Sequence, residues 1–352
     1  MQSLTVLHFG ESKRLWTILE ELLPENRQIL TAMEAELALF SGALRGRRLL
    51  FAVTTDAFGE DETICRFLRT MRKTEGCLQG ARAAVIVDGQ TELDTKRLAR
   101  RLILTANLSG CAFPGKPLVE ATGTLKNLKV LKKKHALPDL IAAYRYAVKE
   151  LLERLEEEMP RAKESPVLLV LHASDHATSN TLALGERVIA QLNRQIRVET
   201  LSLRNGTVYD CRGCSYKVCA HYAAQGGCFY GGTIVEQVLP AVLRCDGLLL
   251  LCPNYNDSVG ANIMAFINRL TSLTVSNALY GKALFAIVVS GYSGSDLVAE
   301  QVLGALCLNK AFSLPPQFCM LQTANHPGEA LRLPDVERQT EAFAARISEW
   351  LT

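Results

Sequence analysis

The chain reads as two tandem α/β domains, each a doubly wound, five-stranded parallel sheet with helices on both faces. Three observations predict this. Short apolar, β-branched runs alternate with amphipathic stretches, the pattern of parallel strands joined by crossover helices. The length, 352 residues, exceeds what one ordinary core serves and suits two. Finally, the second half repeats the first. Val6-Leu7-His8 reappears as Val170-Leu171-His172, Asn26-Arg27-Gln28-Ile29 as Asn193-Arg194-Gln195-Ile196, and Leu137-Pro138-Asp139 as Leu333-Pro334-Asp335. Between those markers residues 47–88 lie over 248–289 without a gap, aligning Asp56/Asp257, Gly59/Gly260, Gly80/Gly281 and Ile86-Val87/Ile287-Val288. The offsets give the second copy about three extra residues early and about 34 more later. The domains fall at 1–160 and 166–352, with a cysteine-rich insertion at 204–232.

In the second copy the predicted order is strand 167–172, helix 181–192, strand 197–203, the insertion, then helix 233–243 and strand 248–252. Helix 262–273, strand 283–290, helix 297–308 and a strand near 317–321 follow. Each strand is a short apolar run, and each helix carries apolar residues at three- and four-residue spacing. A closing helix opens at Pro334, whose missing N–H suits a first turn, and puts Val336, Phe343, Ile347 and Trp350 on one stripe. The first copy ends alike. Pro138 opens a helix with Ile141, Tyr144, Val148, Leu151, Leu155 and Met159 on one face, and residues 160–166 form the linker.

Composition narrows the class. A 48% hydrophobic and 21% charged chain is that of a soluble globular protein, and a net charge of +3 selects no particular partner. The basic stretch Lys126, Lys129, Lys132, Lys133 and Lys134 has no aromatic residues interleaved for base stacking, so it reads as a solvated edge and no nucleic-acid partner is expected. No apolar run approaches the roughly 18 residues of a membrane span, and the start lacks the layout of a signal peptide. No membrane association and a cytoplasmic location are the expectations. Eleven cysteines, with Cys65, Cys77, Cys245, Cys252, Cys307 and Cys319 in apolar settings, read as reduced buried thiols rather than a disulfide framework.

Ligands of open α/β sheets bind beyond the carboxyl ends of the strands, and three loops of the second copy occupy such ends. The first, residues 173–181, gathers Ser174, Asp175, His176, Thr178, Ser179, Asn180 and Thr181 at a helix start, a donor-rich concavity suited to a phosphate monoester. Helix capping alone also selects these residue types. The second, Pro253-Asn254-Tyr255-Asn256-Asp257-Ser258, offers a rigid ring, a flat aromatic and polar donors that would flank a polar-edged ring; a helix-capping turn is the plainer reading. The third, Ser290-Gly291-Tyr292-Ser293-Gly294, permits close backbone approach.

Together these loops resemble the NADPH-dependent FMN reductase family of the flavodoxin-like superfamily. Ser174 followed by Ser179-Asn180-Thr181 looks like that family's FMN phosphate loop. Pro253, Tyr255 and Ser258, with the helix Ala265-Phe266-Ile267-Asn268-Arg269-Leu270, look like its flavin loop and the helix after it. The resemblance covers about residues 166–325 and implies bound FMN with NAD(P)H as electron donor. The first copy matches the scaffold alone, since Thr54-Thr55-Asp56-Ala57-Phe58-Gly59 has neither the Pro nor the Tyr, and is expected to bind no flavin. The chain departs from the family at Asp175-His176, where a basic residue is usual. A carboxylate about 4 Å from a phosphate charge is opposed by roughly 1 kcal/mol at water's dielectric and about 4 kcal/mol at an effective value of 20, so Asp175 is expected to face solvent.

The insertion carries Cys211, Cys214, Cys219 and Cys228, with glycines and aromatics between them. Four thiolates so spaced enclose a 4Fe-4S cluster, and the iron-sulfur flavoprotein branch of the superfamily carries its cluster cysteines in this segment, more tightly spaced. Zinc, with His221 as a substitute ligand, and no metal at all remain the other readings. If FMN binds, hydride chemistry belongs to the cofactors and the protein orients them, so no catalytic side chain is named. The function expected is therefore an NAD(P)H-dependent FMN oxidoreductase serving a small-molecule or protein electron acceptor. The alternatives are an iron-sulfur flavoprotein electron carrier, or a non-catalytic duplicated scaffold with structural zinc or no metal. The resemblance also suggests that the first copy replaces a partner subunit in an internal pseudo-dimer, with further homo-oligomerisation left open.

Overall fold

Strands that are apolar on both faces need cover on both, and each half of the chain provides it with one sheet between two helical layers. The computed structural model describes residues 3–157, 163–174, 178–204, 208–225, 227–276 and 279–352. It divides into two units, Met1–Glu158 and Met159–Thr352. The first contains strands β1 (Leu4–Phe9), β2 (Gln28–Leu30), β3 (Arg48–Asp56), β4 (Gly59–Glu60), β5 (Arg82–Gly89) and β6 (Leu118–Ala121). Its helices are α1 (Lys13–Leu22), α2 (Ala32–Ser41), α3 (Glu62–Lys73), α4 (Thr95–Leu108), α5 (Lys129–Lys134) and α6 (Leu140–Glu156). The second contains β7 (Val167–His172), β8 (Arg197–Ser202), β9 (Gly247–Pro253), β10 (Ala283–Ser290) and β11 (Cys319–Thr323). Its helices are α7 (Asn180–Ala190), α8 (Tyr216–Ala224), α9 (Leu239–Arg244), α10 (Ala261–Arg269), α11 (Ser295–Leu303) and α12 (Val336–Leu351).

The sheet orders are β2-β1-β3-β5-β6 and β8-β7-β9-β10-β11, both the flavodoxin-like arrangement. One correction applies to the expected five strands each. The first sheet gains β4, which turns back antiparallel on β3 because Asp56 Oδ1 accepts the Phe58 N–H at 2.7 Å and Gly59 adopts φ 114°.

Sheet register also corrects the alignment of the halves. Val6 pairs with Leu50 and Ile29, whereas Val170 pairs with Leu249 and Thr200. Leu50 therefore takes the place of Leu249 rather than Leu251, and Ile29 that of Thr200 rather than Ile196. The early insertion is correspondingly longer than expected. Both slips are even-numbered, so every side chain keeps its face of the pleat and the apolar pattern still matches. One face of the first sheet packs Val6, Leu50, Ala52 and Ile86 against α1 and α6 residues such as Leu15, Ile18 and Tyr144. The corresponding face of the second packs Val170, Leu249, Leu251 and Ile287 against Leu184, Val188, Phe343 and Ile347 of α7 and α12.

Several boundaries differ from the sequence reading. Helix α6 begins after Asp139, whose carboxylate accepts the Ala142 N–H at 2.7 Å, so Pro138 lies outside rather than in the first turn. Pro334 likewise precedes Asp335, the residue before α12. On α6, Tyr144, Val148, Leu151 and Leu155 are buried but Ile141 is exposed; Met159 lies outside the described residues. Among the cysteines expected inside, Cys77, Cys245, Cys252, Cys307 and Cys319 are buried free thiols, as is Cys111. Cys65 is exposed, because it sits on the outer side of α3 with its thiol 3.6 Å from Glu60 Oε2. The insertion carries α8, which the sequence reading left without a helix. Among the described residues no helix is long and apolar enough to cross a membrane.

Candidate functional site

The order of the second sheet reverses at β7 and β9, and crossover helices leave from the two strands in opposite directions, opening a cleft at their carboxyl ends. Its volume is about 750 Å³. Of the residues singled out from the sequence, Ser174, Thr178, Ser179, Asn180, Thr181, Pro253, Asn254, Tyr255 and Gly291 line it. Asn256, Ser258, Ser290 and Tyr292 do not, and Asp175 and His176 lie outside the described residues. Arg204, Ala324 and Asn325 line the cleft as well and were missed. Arg204 lies two residues past the end of β8 and Asn325 two past the end of β11, in loops with no motif of their own.

Helix α7 aims its first turn at the cleft. Gly185 allows the helix to lie close on β9, since a Cβ there would come within 2.6 Å of the Leu251 side chain. Ser179 caps the helix, its hydroxyl accepting the Leu182 N–H at 3.1 Å. The amide of Asn180 is committed elsewhere: Nδ2 donates to the His326 carbonyl at 2.8 Å and Oδ1 accepts the Ala330 N–H at 3.2 Å, tying this loop to the one after β11. That second loop is itself fastened by Glu329, which accepts the N–H groups of Asn325 and His326 and is thereby held below the ordinary carboxylate range. Ser174 is different. Its hydroxyl is buried in the wall of the cleft and has no hydrogen-bond partner among the described residues.

The other two loops form one polar unit. Asn254 Nδ2 donates to Ser290 Oγ and to the Ser293 carbonyl, both at 3.0 Å, and Ser295 donates to Ser290 Oγ at 2.7 Å. Asn254 Oδ1, by contrast, is buried without a partner. Tyr255 and Ser258 exchange backbone hydrogen bonds across a two-residue turn, Asn256-Asp257, whose φ values of 53° and 57° suit short polar side chains. Asn256 is thus a turn residue, and Ser258 faces α11, donating to Gln301 Oε1 at 3.2 Å. Tyr255 stands over Gly260 and is 60% exposed, leaving its ring free along the cleft. Tyr292 lies at the rim and accepts a bond from Asn325 Nδ2 at 2.9 Å.

Residues 166–326 match the NADPH-dependent FMN reductase family. The match supports a flavin-dependent oxidoreductase, an enzyme class, for this part of the chain. Similar solved structures include RosB with the bound intermediate 8-demethyl-8-formylriboflavin-5'-phosphate, 15% identical, covering 53% of this chain and 79% of that one with a TM-score of 0.42. An FMN-dependent NADH-azoreductase from Bacillus anthracis in complex with FMN is 11% identical, with 52% and 99% covered and a TM-score of 0.35. The apo form of the NADH:FMN oxidoreductase EMOB is 17% identical, with 53% and 90% covered and a TM-score of 0.38. No curated protein matches the chain.

The N-terminal unit differs from the C-terminal unit at the carboxyl ends of its strands. Asp88 stands where the other sheet has Val289, and Arg14 reaches it from α1. The guanidinium also donates to the carbonyls of Gly89, Thr122 and Gly123 at 3.2–3.3 Å. A charged pair thus stands where the second sheet has the apolar Val289.

In the insertion of the C-terminal unit, Cys211, Cys214, Cys219 and Cys228 line one cavity of about 280 Å³, walled by Tyr222, Phe229 and Tyr230. Burial and the three neighbouring cysteines push the Cys219 thiol up, and Cys214 beside Tyr230 pushes its phenol up. Among the described residues no three His, Cys, Asp or Glu side chains are arranged to hold a single metal ion.

Proposed function

We propose that the C-terminal unit binds FMN in the 750 Å³ cleft and is an NAD(P)H-dependent FMN oxidoreductase. One observation carries this: two buried polar atoms of the cleft wall, Ser174 Oγ and Asn254 Oδ1, lack a partner among the described residues. A buried polar group without a hydrogen bond is costly, so the cleft fits a ligand that offers hydrogen-bonding partners at both places. The unpaired N–H groups of the first turn of α7, with the hydroxyls of Ser174, Thr178 and Ser179, fit the phosphate, and Arg204 adds a positive charge. His176 is the remaining proposed donor of that loop. Pro253, Asn254 and Tyr255 fit the ring system, with Gly291 allowing close approach and Tyr292 at the rim. Thr181 joins the lining at the phosphate end, while Asn180, Asn256, Ser258 and Ser290 hold the loops in shape.

Bound FMN would supply the two-electron chemistry, receiving reducing equivalents from NAD(P)H. The residues present orient and bind; none is assigned a proton. Titration of the flavin-free protein with FMN, followed by NADPH and NADH in turn, tests the proposal. Saturable binding and bleaching of the flavin band by either nucleotide are expected, whereas a protein that takes up no FMN would overturn it.

The Arg14–Asp88 pair supports the further proposal that the N-terminal unit binds no flavin. Its role as a stand-in for a second subunit is tested by expressing residues 166–352; a soluble, flavin-loaded monomer would count against it.

A second reading, an iron-sulfur flavoprotein electron carrier, is favoured by the one cavity that all four insertion cysteines share. A cluster spaces its sulfur ligands across several metal atoms, and four thiols on the wall of one cavity suit it.

A further inference from the structure

Two guanidinium groups line the cavity of the four cysteines: Arg212, stacked over the Tyr230 ring, and Arg269, the last residue of α10. Arg269 is only 4% exposed. Its Nη1 donates to the Tyr209 carbonyl at 3.3 Å, but Nε and Nη2 are buried with no hydrogen-bond partner among the described residues. A guanidinium cannot escape this by losing its proton, so burial without an anion is strongly unfavourable. Neutral thiols offer no counter-charge. Four thiolates around a cluster do, because their charges outweigh that of the metal–sulfide core and leave the group anionic.

We propose that Arg269 is the counter-charge of an anionic iron-sulfur cluster held by Cys211, Cys214, Cys219 and Cys228, and that it raises the reduction potential of that cluster. The inference rests on the iron-sulfur reading and not on FMN. A neighbouring cation stabilises the more negative, reduced cluster, so its removal lowers the potential. Neighbouring contacts keep the wall in place independently of this charge: Asn268 Nδ2 donates to Asp210 Oδ1 at 3.0 Å, as does the Cys211 N–H at 2.6 Å.

The test uses the full chain, reconstituted without oxygen with equal ferrous and ferric iron and with sulfide, so that the cluster needs no further oxidant, beside a parallel sample given zinc alone. The wild type is expected to take up about four irons and about four sulfides per chain, and Cys219→Ser to lose most of them. Arg269→Gln should give a cluster of lower midpoint potential, or none, and Arg269→Lys should recover the wild-type potential in large part. Should Arg269→Gln fail to fold, the comparison of Arg269→Lys with wild type stands, together with melting curves in which loading stabilises the wild type. The inference is overturned if the wild type binds no iron and sulfide, if it binds one zinc in their place, or if Arg269→Gln leaves the potential unchanged. FMN content, measured separately, reports on the flavin proposal: a chain that loads the cluster but no FMN keeps this inference and loses that proposal, and the converse holds.

Discussion

Arg14 Nη2 lies 2.8 Å from Asp88 Oδ1 at the carboxyl end of β5, so a buried carboxylate and its guanidinium occupy the place that is apolar in the C-terminal unit. Asp88 is 3% exposed, and breaking such a pair leaves its charge without compensation. Arg14→Met is expected to destabilise the N-terminal unit by about 3 kcal/mol. Adding Asp88→Val, the residue of the other sheet, should recover most of the loss. Urea unfolding of the three chains checks this; an additive double variant would show that the two residues do not act as a pair.

Ser174→Ala should weaken FMN binding by about 1 kcal/mol, several-fold in Kd, because the hydroxyl then has no bond to offer the ligand. The flavin-free protein should be no less stable, since the hydroxyl removed there was unpaired. Fluorescence titration and melting of the apoprotein separate the two effects, and an equal loss in both would assign Ser174 a purely structural role.

Arg204→Gln should cost FMN about 2 kcal/mol, the worth of a hydrogen bond to a charged group, and leave riboflavin nearly untouched. Comparing the two ligands in one titration isolates the phosphate. Equal losses for both would move Arg204 away from it.

Gly294 adopts φ 86°, and a Cβ there would fall 2.2 Å from Asp257 Oδ1 and 2.9 Å from Asn254 Nδ2. Gly294→Ala combines backbone strain with displacement of both loops, and a loss of about 1–3 kcal/mol of stability is expected along with weaker FMN binding. Denaturation and FMN titration read both. A silent substitution would mean that the two loops move independently.

Burial pushes the thiols of Cys245, Cys252 and Cys319 up to about 12 from the ordinary 9.0. The folded state keeps these protons where the unfolded chain releases them. Their contribution is therefore intact below pH 9 and lost as pH rises from there towards 12, by at most about 1.4 kcal/mol per pH unit for each thiol. Unfolding midpoints on either side of pH 9 should show the fall in the wild type and a shallower one in Cys252→Ala and Cys319→Ala.

The loops were legible in the sequence where chemistry and local conformation coincide. Pro253, Tyr255 and Ser174 stand at strand ends, and strand ends follow from apolar runs such as 248–252. Arg204 and Asn325 were not found because nothing local marks them; they reach the cleft only because β8 and β11 lie beside β7 and β10 in the sheet. Asn180 shows the converse. Its position suggested a phosphate ligand, but its amide is spent on His326 and Ala330, far away in sequence.

By itself the sequence determined the fold class, the extent of the FMN reductase match and most of the strands, because a period of two and a helical period are local properties that survive an even-numbered slip. Only the tertiary structure decided which polar atoms remain unpaired, Ser174 Oγ and Asn254 Oδ1 in one cavity and Arg269 in the other. Whether a buried group is satisfied depends on every neighbour the fold brings to it, and those neighbours are distant in the chain.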